Sequence, residues 1–491
     1  MRKATIKPGV QLADYLAYTD LLPAFNSFHN EALLLKQRLR RRRVWMVSST
    51  EQGGGVAEMM PRMISLLRQL GIKAEWLILE TDEADFFPFT KKLHNLIHGE
   101  GSPEITAEET AGYERVNRHN AKALAHYVQK NDIVVLHDPQ PAGMATELKK
   151  LIDATIIWRS HIGLDFSNAG TDAAWSFLRP YLASCDHYVF SAPEYIPEGL
   201  SGNVTIIHPS LDPLSHKNRE LSLHKLTGIL NNAGLLSTAH PTIYPAFKHP
   251  VIRLQPDGTF VSAQQGEDVG LLFRPIITQV SRWDRLKGFL PLMQGFAELK
   301  RHPSTYTDAA QKNHRRIAHR IKNARLVLAG PDPDFVNDDP EGEQVLKELV
   351  DFYTTLSPTV QQDIVVLKLP MQSAKENALI VNALQRCSYA VVQNSLREGF
   401  GLTATEAMWK RIPVLVSSAC GLRTQVRDGI DGLLVDDPED ANQIATRLGT
   451  LVSEPKRAEA MGFSAQQRVR EHFLTFQQIS QWLTLFSRVM S

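Results

Sequence analysis

Residues 397–410 read R-E-G-F-G-L-T-A-T-E-A-M-W-K and follow a short apolar run at 390–392. An apolar run ahead of a glycine loop and a helical stretch predicts strand, loop and helix in that order. Gly399 and Gly401 let backbone amides come close to a ligand at the helix N-terminus, together with Phe400, Leu402 and Thr403, and the helix dipole there favours an anion. Glu398 and Glu406 stand eight positions apart on either side of that point, and ionised carboxylates accept hydrogen bonds from sugar hydroxyls. One anion site flanked by two polyol acceptors describes a nucleotide sugar. Matches to E-x7-E arise by chance in many chains; the specificity lies in the embedded G-F-G and its place after a strand.

The same alternation extends outward in both directions. Apolar runs at 275–280, 325–328, 364–367, 414–416 and 433–435 surround the motif, and a second set stands at 44–47, 76–79, 133–136 and 155–158. Between the first two of that set, Val56, Met59, Met60, Met63, Leu67 and Leu70 have helical spacing and Gly71 supplies a stop. Runs of this kind alternating with helices predict parallel sheets covered on both faces, so the fold class is α/β. A chain of 491 residues exceeds what one hydrophobic core usually holds, which predicts two domains. We place the N-terminal domain at 1–265, with an insertion near 215–274, and the C-terminal domain at 266–472. Within the insertion, 251–254 and 259–262 flank Pro256, Asp257 and Gly258 and predict a hairpin. Residues 473–491 form an amphipathic stretch expected to pack back on the first domain.

Ligands of doubly wound sheets sit beyond the carboxyl ends of the strands, which directs attention to the loops there. The loop at 48–55 ends in Gly53, Gly54 and Gly55, where amides can approach an anion ahead of a helix; its spacing is not the G-x-G-x-x-G of dinucleotide-binding proteins. The loop after 275–280 holds Arg282 and Lys287. A planar guanidinium and a point charge together can neutralise a diphosphate leaving group without a metal ion, although composition alone reads them as surface charge. Asp332 and Asp334 form a D-x-D after Gly330 and Pro331, a turn context, and neither an essential metal nor a cofactor is expected.

Composition narrows the class. Lys and Arg number 54 against 53 Asp and Glu, so no global field draws the protein to nucleic acid or to a membrane. Three dispersed cysteines make no disulfide or metal framework, and no apolar stretch reads as a leader or a membrane span. A cytoplasmic protein is expected. The basic run at Arg38 and 40–43 is read as a solvated helix end.

The donor loop resembles the donor-site signature of retaining GT-B glycosyltransferases. Q-G-G-G-V-A-E at 52–58, H-D-P-Q-P at 137–141, W-R-S-H-I at 158–162 and Q-V-S-R-W-D at 279–284 resemble the trehalose-synthesising branch, which holds glycosyltransferring synthases and retaining trehalose phosphorylases. The resemblance spans roughly 44–435 in order. It implies two Rossmann-like, doubly wound domains facing an interdomain cleft. It further implies that Arg282 and Lys287 hold the donor phosphates with help from the amides of 401–403, that Glu398 binds glucose hydroxyls and that Glu406 binds the ribose. His161 would contact the donor sugar near its 6-hydroxyl, the glycines 53–55 would face the donor, and Asp138, Gln140 and Arg159 would hold an acceptor glucose. Two departures stand out: the 215–274 stretch is long for a compact synthase, and 421–425 reads G-L-R-T-Q where a second glycine is expected.

The activity so implied is transfer of glucose, with retention, from a nucleoside diphosphate glucose such as ADP-glucose or UDP-glucose to glucose, making trehalose reversibly, in a homodimer. The alternatives are a trehalose phosphorylase using phosphate and glucose 1-phosphate, a sugar-nucleotide-binding protein without turnover, and, last, a dinucleotide oxidoreductase.

Overall fold

The computed structural model describes residues 1–6, 9–51, 54–200, 202–237, 247–265, 268–306, 314–335 and 341–490. The chain divides into two compact units, Met1–Asp212 with Arg470–Ser491, and Pro213–Val469. Each is built on one sheet.

The first unit carries β1 (Arg2–Lys3), β2 (Arg43–Ser48), β3 (Lys73–Ile78), β4 (Ile133–His137), β5 (Thr155–Arg159), β6 (His187–Phe190) and β7 (Val204–Ile206), in the spatial order β1-β3-β2-β4-β5-β6-β7. All pairings are parallel except β1 with β3. Residues 44–47 and 133–136 are without solvent exposure, as expected of central parallel strands with helices on both faces. The strands β1, β6 and β7 are absent from the sequence-based expectation: β1 and β7 are two and three residues with a charged or polar member, whereas β6 holds the short apolar run Tyr188, Val189 and Phe190. Their identity as strands comes from the neighbour they pair with.

The last helix, Thr475–Arg488, lies in this unit against the helix Leu22–Leu39. Phe476 meets Tyr15 edge-on at 4.7 Å and stacks on Phe28 at 5.4 Å, and Arg38 donates to Ser487 Oγ at 2.7 Å. Backbone bonds from Leu211 N to Phe473 O and from Thr475 N to Leu211 O tie its start to the end of the first pass of the chain.

The second unit carries β8 (Ile252–Leu254), β9 (Phe260–Ser262), β10 (Ile276–Val280), β11 (Arg325–Pro331), β12 (Ile364–Leu369), β13 (Ala390–Gln393), β14 (Val414–Ser417) and β15 (Gly432–Val435), in the order β15-β14-β13-β10-β11-β12-β8-β9. Successive residues serve opposite faces. Ile277, Leu326, Leu328, Ile364 and Val366 enter one core, whereas Ile276, Val327, Ala329, Val365 and Leu367 enter the other.

The boundary at 265/266 needs correction, since the second unit begins at Pro213 and ends at Val469. The described residues of 213–237 and 247–265 contribute to its sheet and core. The hairpin of β8 and β9 joins antiparallel to β12, with Arg253 opposite Leu367, and the helix Leu223–Asn232 buries Leu226, Ile229 and Leu230 in the core that holds Val365 and Leu367. An edge strand that pairs with the sheet cannot be told from an inserted hairpin by its own sequence. Among the described residues no helix is long and apolar enough to cross a membrane.

Two glycines in helices should respond oppositely to alanine. In the helix Pro455–His472, a Cβ on Gly462 would stand 2.2 Å from the Arg411 carbonyl oxygen, so Gly462→Ala is expected to destabilise by about 2 kcal/mol through overpacking. In the helix Ala107–Ala125, a Cβ on Gly112 would meet nothing closer than 3.5 Å, and Gly112→Ala is expected to stabilise by up to about 1 kcal/mol. Urea denaturation midpoints of the two variants check both signs.

Candidate active site

In the second unit the strands β10 and β13 are neighbours, and the loops leaving their carboxyl ends carry Lys287 and Glu398. One buried carboxamide sets the distance between those loops. Gln279, near the end of β10, donates from Nε2 to the Lys287 carbonyl at 2.8 Å and accepts at Oε1 from the Asn394 amide at 3.0 Å. Gly288 follows Lys287 with φ +61°, and a Cβ there would lie 2.1 Å from the Asn394 carbonyl oxygen, so only glycine permits the approach. Asp284 fixes the turn between, accepting from the Leu286 amide at 2.8 Å.

Lys287 and Glu398, to which the sequence assigns different parts of a donor, are thereby brought together. The Lys287 ammonium donates to Glu398 Oε2 at 2.7 Å, and the same oxygen accepts from Ser395 Oγ at 3.0 Å. Both side chains are largely buried. Arg282 is more than half exposed, with its guanidinium 3.8 Å from Asp284.

Beyond Glu398, the loop of Gly399 and Phe400 turns through Gly401 (φ +84°) into the helix Leu402–Trp409. The first amide of that helix with a backbone acceptor is Ala404, bonded to Gly401 O at 3.0 Å, which leaves the Leu402 and Thr403 amides at the open N-terminus. The 421–425 segment packs against this loop. A Cβ on Gly421 would stand 2.6 Å from Phe400 Cα, and buried Gln425 donates to the carbonyls of Phe400 and Gly421 while accepting from Thr405 Oγ1.

Glu406 lies one turn into the helix, buried, with Oε1 3.6 Å from Lys217 Nζ. Four residues on, Lys410 is also buried and donates to Gln385 Oε1 at 2.7 Å, Asn218 Oδ1 at 3.1 Å and the Glu406 carbonyl at 3.1 Å. Burial pushes the Lys410 ammonium down from the ordinary lysine range, against the pull of the Glu406 carboxylate. Asp332 and Asp334 do not converge. Asp332 is buried 3.6 Å from Lys368 Nζ, whereas Asp334 is exposed. Among the described residues no three His, Cys, Asp or Glu gather in a metal-binding group.

In the first unit, Asp138, Gln140, Arg159 and His161 cluster at the ends of β4 and β5. Asp138 adopts φ +66°, a conformation uncommon outside glycine, and is held by its amide on Arg159 O at 2.8 Å and by Trp158 Nε1 on its carbonyl at 2.9 Å. Its carboxylate accepts from the His161 amide at 2.8 Å; burial, against that bond and the Arg159 charge, raises its pKa to about 6. Arg159 is buried and donates to Phe190 O and Ser191 Oγ, and burial lowers its pKa to about 9, with Asp138 opposing. The Gln140 Oε1 atom is buried without a hydrogen-bond partner. A group so placed awaits a donor.

His161 Nε2 lies 2.9 Å from Nδ1 of His137, the rings stacked at 5.2 Å. Burial and the Arg159 charge hold both rings neutral, with His137 pushed down to about 3 and His161 well below the usual histidine range. Of the glycine loop, Gly54 and Gly55 open the helix Gly54–Gln69, whereas Gly53 lies outside the described residues.

Sequence reasoning passed over Gln279, Lys217, Lys410, Gln425 and the part of His137. For Lys410 a signal was present, since Glu406 and Lys410 are spaced i,i+4 on one helix. The others act across strands or from distant segments.

The comparisons agree in extent with these two units. A family model described as "Trehalose synthase, N-terminal domain" matches residues 46–197, and one described as "Glycosyl transferases group 1" matches 272–468. A trehalose synthase of Pyrococcus horikoshii is 33% identical over 457 residues, covering 92% of this chain and 91% of that one. A trehalose phosphorylase of Pleurotus pulmonarius is 22% identical over 485 residues, covering 93% of this chain and 58% of the relative. Among solved structures, an α,α-trehalose-phosphate synthase (UDP-forming) of Burkholderia xenovorans in complex with glucose-6-phosphate superposes with a TM-score of 0.62 at 16% identity, over 92% of this chain and all of that one. The fold is therefore GT-B. With one third of its residues shared along nearly the whole of both chains, this protein belongs to the trehalose synthase family of glycosyltransferases.

Proposed function

We propose that the chain transfers a glucosyl unit from a nucleoside diphosphate glucose to glucose, forming trehalose reversibly and with retention at the anomeric carbon. The observation that carries this reading is the largely buried Lys287–Glu398 pair beside the open N-terminus of the helix Leu402–Trp409. On arrival of the donor, the Lys287 ammonium exchanges its carboxylate for a phosphate oxygen, and Glu398 exchanges its cation for glucose hydroxyls. Arg282 and the Leu402 and Thr403 amides add positive potential where charge builds on the leaving diphosphate. The bond from the anomeric carbon to the phosphate oxygen breaks, the acceptor hydroxyl oxygen bonds to that carbon on the same face, and the hydroxyl proton passes to the departing phosphate. Glu406 takes the ribose, His161 the donor sugar near its 6-hydroxyl, and Asp138, Gln140 and Arg159 the acceptor. No essential metal is required in this scheme.

The match to trehalose phosphorylases along most of this chain supports a second reading, in which phosphate and glucose 1-phosphate replace the nucleotide pair. Incubation of the protein with trehalose plus either ADP, UDP or inorganic phosphate separates the two. Glucose release with a nucleoside diphosphate and none with phosphate is the expected outcome, and the reverse pattern assigns the phosphorylase reaction.

Lys287→Ala is expected to lower kcat on the order of 100-fold while leaving the KM for acceptor little changed, since its charge matters most as the leaving group departs. Steady-state kinetics with both substrates varied reads this directly. Glu398→Gln should reduce kcat with every glucosyl donor, whereas Glu406→Gln should chiefly raise the KM for nucleoside diphosphate glucose, because a ribose contact lies away from the bond being broken. Equal kcat losses from both carboxylate variants would refute the division of roles. Treatment with EDTA should leave the rate nearly intact; full loss reversed by magnesium or manganese would overturn the metal-free scheme.

A further inference from the structure

Met46, His137 and His161 lie in a row across three neighbouring strands, on β2, at the end of β4 and just past β5. Met46 and His137 are buried, and His161 is partly so. His137 Nε2 is 3.4 Å from Met46 Sδ, and His137 Nδ1 is 2.9 Å from His161 Nε2. The charged groups beside the two rings are the Arg159 guanidinium, which disfavours a second positive charge, and the Asp138 carboxylate, bonded to the His161 backbone amide. Trp482 flanks His137 from the last helix and carries no charge.

The protons in this row follow from chemistry. A thioether sulfur has no hydrogen and only accepts, so the contact with Met46 is favourable when His137 Nε2 bears the proton. A neutral imidazole then has a lone pair at Nδ1, which requires His161 Nε2 to donate. Neutral His161 is left with a lone pair at its own Nδ1, and no described protein group bonds to that atom.

We propose that His137 and Met46 are positioning residues that fix His161 as the Nε2–H tautomer, so that its Nδ1 accepts a hydrogen bond from a sugar hydroxyl and disfavours a phosphate or carboxylate at the same place. This rests on the placement of the donor sugar at His161 given above. A hydroxyl can donate to that lone pair, whereas an ester phosphate brings oxygen lone pairs against it.

The test compares nucleoside diphosphate glucose with its 6-deoxy analogue in His137→Asn, His137→Phe, Met46→Leu and His161→Ala. An Asn carbonyl oxygen can accept from His161 Nε2 as His137 Nδ1 does, while Phe keeps the ring and loses the acceptor. His137→Phe should lower kcat/KM for the glucose donor roughly 5- to 10-fold and Met46→Leu roughly 2- to 3-fold, the size of a weakened neutral hydrogen bond, while His137→Asn stays near wild type. With the 6-deoxy donor all three should match wild type.

Nitrogen-15 histidine spectra of the wild-type protein, with His161→Ala as the assignment control, should show His161 protonated at Nε2 and bare at Nδ1. A proton on Nδ1 overturns the proposal, as do equal losses by His137→Asn and His137→Phe with both donors, which would mark His137 as structural. If His161→Ala treats the two donors alike relative to wild type, the sugar contact itself fails. If it loses only the glucose donor while the wild-type proton sits on Nδ1, the positioning proposal fails alone.

Discussion

The Gln279 carboxamide is the contact on which the placement of Lys287 and Glu398 depends. It is buried at the end of a central parallel strand, and its two functional atoms join the backbone of the loop that carries Lys287 to that of the loop leading to Glu398. A buried amide left unpaired is costly, so each loop is held by the penalty of releasing it. Gly288 makes the approach sterically possible and Gln279 makes it favourable. The 2.7 Å separation of Lys287 and Glu398 is a consequence of those two conditions.

Under the function proposed above, that pair holds an opposed cation and carboxylate ready for a donor that needs both. In the absence of a ligand each neutralises the other, so neither is a lone buried charge. A ligand with an anionic phosphate beside a polyol offers each a new partner, which is a form of preorganisation. The same economy appears around Glu406, where Lys217 and Lys410 approach from different segments and the helix begins only four residues earlier.

The first unit uses neutral groups instead. Burial and the Arg159 charge keep His137 and His161 uncharged, and Asp138 is held in a strained left-handed conformation by hydrogen bonds to β5 and its successor. Strain of this kind persists only where surrounding contacts over-determine it. Neutral acceptors and a carboxylate are groups that pair with hydroxyls, in contrast to the charged pair of the second unit.

Sequence alone determined most strands of both sheets from their short apolar runs, because a central parallel strand must be apolar on both faces. It also determined the glycine loop between β13 and the helix Leu402–Trp409, since an apolar run followed by glycines and a helical stretch is a local property of the chain. What only the tertiary structure decided is everything carried by contacts between distant segments. The hairpin of β8 and β9 belongs to the second sheet because β12 offers it an edge, not because of its own residues. Lys287 and Glu398 are 111 positions apart and meet through strand order, while Gln425 reaches three groups on and beside the loop of Gly399–Gly401. The proton arrangement of Met46, His137 and His161 is set by three strands lying side by side, a neighbour relation that no spacing along the chain encodes.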